Sequence, residues 1–94
     1  MYNPPYGSEG QRRMKVYNVI DESYMIWTLS SVKAVIDWTR PTLYNDRDGN
    51  ALTEKDVRKA LREGKDVYLY GFDSEGEPKR DWDYKISVNN VISS

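Results

Sequence analysis

Lys55, Arg58, Lys59 and Arg62 stand at i, i+3, i+4 and i+7. On a helix that spacing puts all four cations on one face, with Lys65 close behind. Such a stripe can track a phosphate backbone. Glu54 precedes Arg58 by four residues and partly neutralises it. A net charge of −1 and a pI near 5.4 weigh against nucleic acid as the main partner. A second spacing follows at once: Tyr68, Tyr70 and Phe72 alternate with Val67, Leu69 and Gly71. As a strand, that segment lines three rings on one face and its aliphatic residues on the other. A small antiparallel sheet commonly packs one face and leaves the other to solvent. The rings are therefore either covered or form a binding face.

Other residue types that do chemistry are missing or badly placed. The chain has no Cys and no His. This removes disulfides, thiolate and Ser-His-Asp nucleophiles, ordinary zinc sites, and the usual switch near neutral pH. Asp81 and Asp83 share a face if they lie on a strand, but acid–base work by two carboxylates needs an enclosing cleft. Asn45-Asp46-Arg47-Asp48-Gly49-Asn50 invites a calcium reading. Setting Gly49 at the invariant glycine of an EF-hand loop puts Tyr44 and Lys55 where the loop needs carboxylates. An Asp-Gly turn is expected instead. The reading is of a non-enzymatic protein with no cofactor and no metal.

Charge is unevenly spread. Residues 66–94 carry three basic and six acidic groups, an acidic end that suits a basic partner if it is more than ordinary surface charge. At 94 residues the chain is one domain. Eight Tyr, three Trp and one Phe must supply much of its buried area. No apolar run is long enough to span a membrane and no signal-peptide core is visible, so a cytoplasmic protein is expected.

The elements that must position these residues can be read in order. Residues 1–13 hold two Pro and two Gly and read as a flexible tail. Residues 14–90 read as one α+β domain, and 91–94 as a second tail. Strands are expected over Met14–Ile20 and Tyr24–Leu29, joined by the turn Asp21-Glu22-Ser23 as a hairpin. Met14, Val16 and Ile20 are expected on the core face of the first, with Met25, Trp27 and Leu29 on that of the second. Tyr17, Val19, Tyr24 and Ile26 are thereby left on the outer face.

Ser30 or Ser31 caps a helix over 32–39, which Arg40-Pro41 ends. Thr53 caps the helix that carries the basic stripe. Leu52 and Val57 form its hydrophobic staple, Val57, Ala60 and Leu61 its buried face, and Gly64 its stop. A third strand covers about 66–72. In the fourth, about 81–88, Trp82, Tyr84, Ile86 and Val88 alternate with Asp83, Lys85 and Ser87. The expected fold is a four-stranded antiparallel sheet, in the chain order β-β-α-α-β-β, with two helices packed on one face.

Asn3-Pro4-Pro5-Tyr6-Gly7 resembles the catalytic motif of amino-methylating DNA methyltransferases. In that family the Asn and a Pro carbonyl hold the target amine and the Tyr stacks on a flipped base. Here the motif sits at the extreme N-terminus with no cofactor-binding α/β domain beside it, so a Pro-rich tail is the expectation. Asn3-Pro4-Pro5-Tyr6 is also similar to the Asn-Pro-x-Tyr peptide that phosphotyrosine-binding domains read.

The functional expectation is a small protein-binding module, an inhibitor, adaptor or accessory factor of a size and style common in phage and mobile elements. It acts through an outer face of Tyr68, Tyr70, Phe72, Tyr17 and Tyr24, on a protein partner or on a second copy of itself. The alternative is a nucleic-acid binder with Lys55, Arg58, Lys59 and Arg62 on phosphate and tyrosines stacking on bases. A further alternative is a small-ligand or nucleotide binder.

Overall fold

The computed structural model describes residues 12–93. Residues 1–11 of the expected N-terminal tail, with the Asn3–Gly7 motif, lie outside the described residues; Arg12 and Arg13 belong instead to the first strand, and 91–93 of the expected C-terminal tail to the last. The chain runs through strands β1 (Arg12–Asp21) and β2 (Ile26–Leu29), helices α1 (Val32–Thr39) and α2 (Glu54–Arg62), and strands β3 (Val67–Leu69) and β4 (Tyr84–Ser93). All pairings are antiparallel, the sheet order is β2-β1-β4-β3, and both helices pack on one face, giving an α+β fold. β1 and β4 pair along their whole length, from Arg12 opposite Ser93 to Asp21 opposite Tyr84.

Local chemistry accounts for the helices. Ser31 Oγ accepts from the Ala34 N–H at 3.0 Å, and Thr53 Oγ1 accepts from the Asp56 N–H at 3.1 Å, each satisfying an orphan donor of a first turn. α1 ends at Arg40, which takes a left-handed conformation (φ 49°), and Pro41–Leu43 follow as a 3₁₀ turn. α1 buries Val35, Ile36 and Thr39; α2 buries Val57 and Leu61.

The register decides the core. Tyr17 lies opposite Leu29 and Val88, and Val19 opposite Trp27 and Ile86. These residues face the helices together with Val67, Leu69 and Tyr84. Each fully buried aliphatic side chain contributes about 1.5–3 kcal/mol of transfer free energy. An aromatic ladder closes one end of this layer: Trp27–Trp38 at 4.8 Å between centroids, Trp38–Tyr84 at 5.5 Å and Tyr44–Tyr84 at 5.9 Å.

The expected faces of β1 are inverted. Tyr17 (6% exposed) and Val19 (0%) are core, whereas Met14 is exposed and Val16 and Ile20 lie on the helix-free face. β1 is apolar in both phases, and with a side-chain period of two a one-residue choice exchanges the faces. Trp82 also departs from expectation. β4 begins at Tyr84, so Trp82 precedes the strand and is only half-buried.

Candidate interaction surface

Three turns at the sheet margins share one design, each anchored by an aspartate. Asp21 Oδ1 accepts from the N–H groups of Ser23 (2.8 Å) and Met25 (2.9 Å). Asp46 Oδ1 accepts from Asp48 (2.9 Å) and Asn50 (2.8 Å), and Asp73 Oδ1 from Glu75 (2.9 Å) and Glu77 (3.0 Å). In each, the fourth residue also donates its N–H to the aspartate carbonyl: Tyr24 at 3.0 Å, Gly49 and Gly76 at 3.1 Å. That fourth residue is left-handed in all three, with φ of 87° at Gly49, 79° at Gly76 and 63° at Tyr24. Glycine is the low-energy choice at such a position. Two turns follow that rule, and the β1–β2 turn instead holds a tyrosine that is 76% exposed. The Asp46 turn is also what the Asn45–Asn50 loop forms, with the carboxylate oxygen turned to its own backbone rather than outward.

Tyr24 leads into a chain of rings. Its ring meets Trp82 edge-on (6.2 Å, 87°), and Trp82 meets Tyr68 at 6.1 Å. Tyr68 belongs to the row Ile26–Ile20–Lys85–Tyr68, which crosses all four strands on the helix-free face. Ile26 is 61% exposed there. The next row, Thr28–Asn18–Ser87, is polar, and Thr28 Oγ1 donates to Asn18 Oδ1 at 2.8 Å. One apolar cluster of the open face thus lies where the β1–β2 turn and the residues entering β4 meet, with Val16 and exposed Met14 beyond the polar row on β1.

Two cations of the protein already use Tyr68. Arg47 lies 5.2 Å and Lys85 5.6 Å from its ring centroid, and Lys85 also approaches Asp66 at 4.0 Å. Arg47 Nε donates to Tyr70 Oη at 3.3 Å. Beyond Leu69 the chain leaves β4 and pairs with the 41–51 loop, Asn45 N–H to Tyr70 O at 2.8 Å and Tyr70 N–H to Asn45 O at 2.9 Å. That loop buries Tyr70 to 6% exposure.

Of the five aromatic residues expected on a docking face, Tyr70 and Tyr17 are therefore corrected. Tyr70 is sealed by the 41–51 loop and Arg47, and Tyr17 faces the helices. Tyr24 and Phe72 are exposed and Tyr68 is half-buried on the open face. Sequence reasoning missed Ile20 and Trp82, both assigned to the core. The signal that singles out Tyr24 was legible: Asp21-Glu22-Ser23-Tyr24 aligns with Asp46-Arg47-Asp48-Gly49 and Asp73-Ser74-Glu75-Gly76.

The 70–83 segment is held by close packing. Asp83 donates its N–H to Leu69 O at 2.8 Å, and its Oδ1 takes an ion pair from Lys79 at 3.0 Å. A Cβ on Gly71 would collide with Asp83 Oδ2. The bond to Asp83 raises the Lys79 pKa, with Asp83's charge and more distant Glu22 acting in the same direction. Burial pushes the Tyr44 phenol above its ordinary value, and Tyr84 and Asp83 add to the effect.

The basic stripe lies elsewhere. Lys55, Arg58, Lys59 and Arg62 line a shallow groove of about 460 Å³ with Asp56. On α2 they stand opposite Val57 and Leu61, which face the sheet, so the stripe looks away from it. Lys15 Nζ donates to Arg62 O at 3.4 Å and extends the basic surface. The sheet thus separates the stripe from the open aromatic face. No family model matches the chain, no curated protein matches it, and no solved structure matches its fold.

Proposed function

We propose that the protein is a small non-enzymatic protein-binding module that docks a partner on the open face of its sheet. The observation that carries this reading is the exposure of large apolar side chains at one end of that face, Tyr24 at 76% and Ile26 at 61%, beside Tyr68, Trp82 and Ile20. A contiguous apolar patch rimmed by polar groups marks an interaction site. Aromatic side chains are enriched in such sites relative to other surfaces. The test compares capture of a partner by the wild type, by Ile26→Glu, and by Arg58→Glu with Arg62→Glu, all verified folded by circular dichroism. A partner held by the wild type and the stripe variant but lost from Ile26→Glu supports the reading. Equal capture by Ile26→Glu overturns it.

A second reading, self-association, draws support from the β2 edge. β2 is the first strand of the sheet, and Tyr24–Leu29 contains neither a charge nor a Pro to blunt unpaired backbone groups. Sedimentation shows this as a dimer that Ile26→Glu dissociates. The nucleic-acid alternative draws less support, because the helix stripe and the sheet-face rings lie on opposite sides of the sheet. Titration with mixed-sequence DNA and RNA at low and moderate salt checks it. Salt-sensitive binding abolished by Arg58→Glu with Arg62→Glu would replace the protein-binding reading.

A further inference from the structure

The Tyr24 and Trp82 rings stand at 87° to one another, 6.2 Å apart, and form two walls of a recess of about 340 Å³ whose other lining residues are Glu22 and Asp81. Both rings border that space, and an organic cation within about 6 Å of a ring centroid is attracted to the ring's π-electron density. The carboxylates add negative charge to the same space. Among the described residues neither Glu22 nor Asp81 has an ion-pair partner, and Lys79, on which the charge of Glu22 acts at longer range, is paired with Asp83 at 3.0 Å. Tyr68 offers an internal comparison, because Arg47 and Lys85 lie at 5.2 Å and 5.6 Å from its centroid. Among the described residues no cation sits on Tyr24 or on Trp82.

The backbone adds an independent reason. Tyr24 occupies the left-handed position that Gly49 and Gly76 fill in the two matching turns. Strained residues held by well-determined turns gather at functional positions. The ring is 76% exposed, so it is not placed there to fill a core.

The geometry points to a cation–π site in which Tyr24, Trp82, Glu22 and Asp81 receive the arginine or lysine side chain of a basic protein partner. The assignment rests on the docking reading above and names the chemistry its partner must present. A guanidinium stacks on the Trp82 indole while Tyr24 closes the side, and the two carboxylates accept its N–H groups. Arginine, planar and more weakly hydrated, is preferred over lysine.

The experiment uses ¹⁵N-labelled full-length protein at low salt and follows the indole N–H signals of Trp27, Trp38 and Trp82. The Trp82 signal is identified by its loss in Trp82→Phe. The probes are N-acetylarginine amide, N-acetyllysine amide and the neutral isostere N-acetylcitrulline amide. The expected result is a saturable shift of the Trp82 signal with arginine in the millimolar range, at least fivefold weaker with citrulline. It weakens by at least fivefold in Glu22→Gln with Asp81→Asn, and disappears in Tyr24→Gly. A Trp82 signal that does not move, or that moves equally with citrulline or in the carboxamide variant, overturns the site. The two proposals fail separately. A silent recess beside Ile26-dependent partner capture removes only the cation site. A responsive recess in a protein whose partner ignores Ile26→Glu removes only the sheet-face reading.

Discussion

Replacing Tyr24 by glycine should leave the fold almost as stable as the wild type while removing the proposed cation site. The magnitude follows from the backbone and the ring separately. At φ 63° a non-glycine residue costs about 1–2 kcal/mol. The ring is largely solvated, so its loss forfeits mainly the edge-on contact with Trp82, about 0.5–1.5 kcal/mol. Tyr24→Ala keeps the strain and loses the ring, so it destabilises by about that amount. Tyr24→Gly loses the same ring but releases the strain, offset by about 0.4–1 kcal/mol from the freer unfolded chain. The glycine variant is therefore expected to exceed the alanine variant by about 1 kcal/mol.

Gly76 supplies the control. It has the same turn and φ 79°, and nothing lies within 4 Å of an added Cβ, so Gly76→Ala reports the backbone term alone. It should lose about 1 kcal/mol, matching the alanine-to-glycine gain at position 24. Urea unfolding at a common m value reads both, as midpoint shifts of about 0.5–1 M. A Tyr24→Gly variant no more stable than Tyr24→Ala, or a neutral Gly76→Ala, would show that the left-handed backbone at position 24 carries no such strain.

Tyr70→Ala should behave as a core deletion, losing about 3 kcal/mol or more in urea unfolding, while Tyr70→Phe loses only the Arg47 bond, about 0.5–1.5 kcal/mol. A near-neutral Tyr70→Ala would mean that the 41–51 loop does not seal the ring. Gly71→Ala should cost about 1–3 kcal/mol by overpacking against Asp83, and less in an Asp83→Ala background; an equal cost in both backgrounds would place the clash elsewhere. Tyr44 predicts an alkaline limit. Its folded pKa is raised, so the unfolded phenol ionises first and stability falls as pH climbs above about 10 and through the folded value. Unfolding midpoints measured across that range should flatten in Tyr44→Phe, and an unchanged slope would contradict the assignment.

Much of the fold was legible because its signals are local. Ser31 and Thr53 cap the helices by bonds to N–H groups three residues on. Val35 and Ile36, like Val57 and Leu61, share a face by helical spacing. The three aspartate turns are written in short segments. The fold class and the elements that carry the site follow from such features alone. What the sequence could not settle is which face each residue of β1 takes. Both phases of that strand are apolar, and only pairing with Leu29, Trp27, Ile86 and Val88 puts Tyr17 and Val19 inside and Ile20 outside. Tyr70 continues the alternation of Tyr68, yet contact with Asn45 and Arg47, more than twenty residues earlier in the chain, buries it. Trp82 was drawn outward by the late start of β4 and by rings at positions 24 and 68. Sequence by itself thus determined the elements and the chemistry available, because hydrogen bonds within a few residues set them. Tertiary structure alone decided which rings are sealed and which are offered, because burial depends on partners the chain brings together only when it folds.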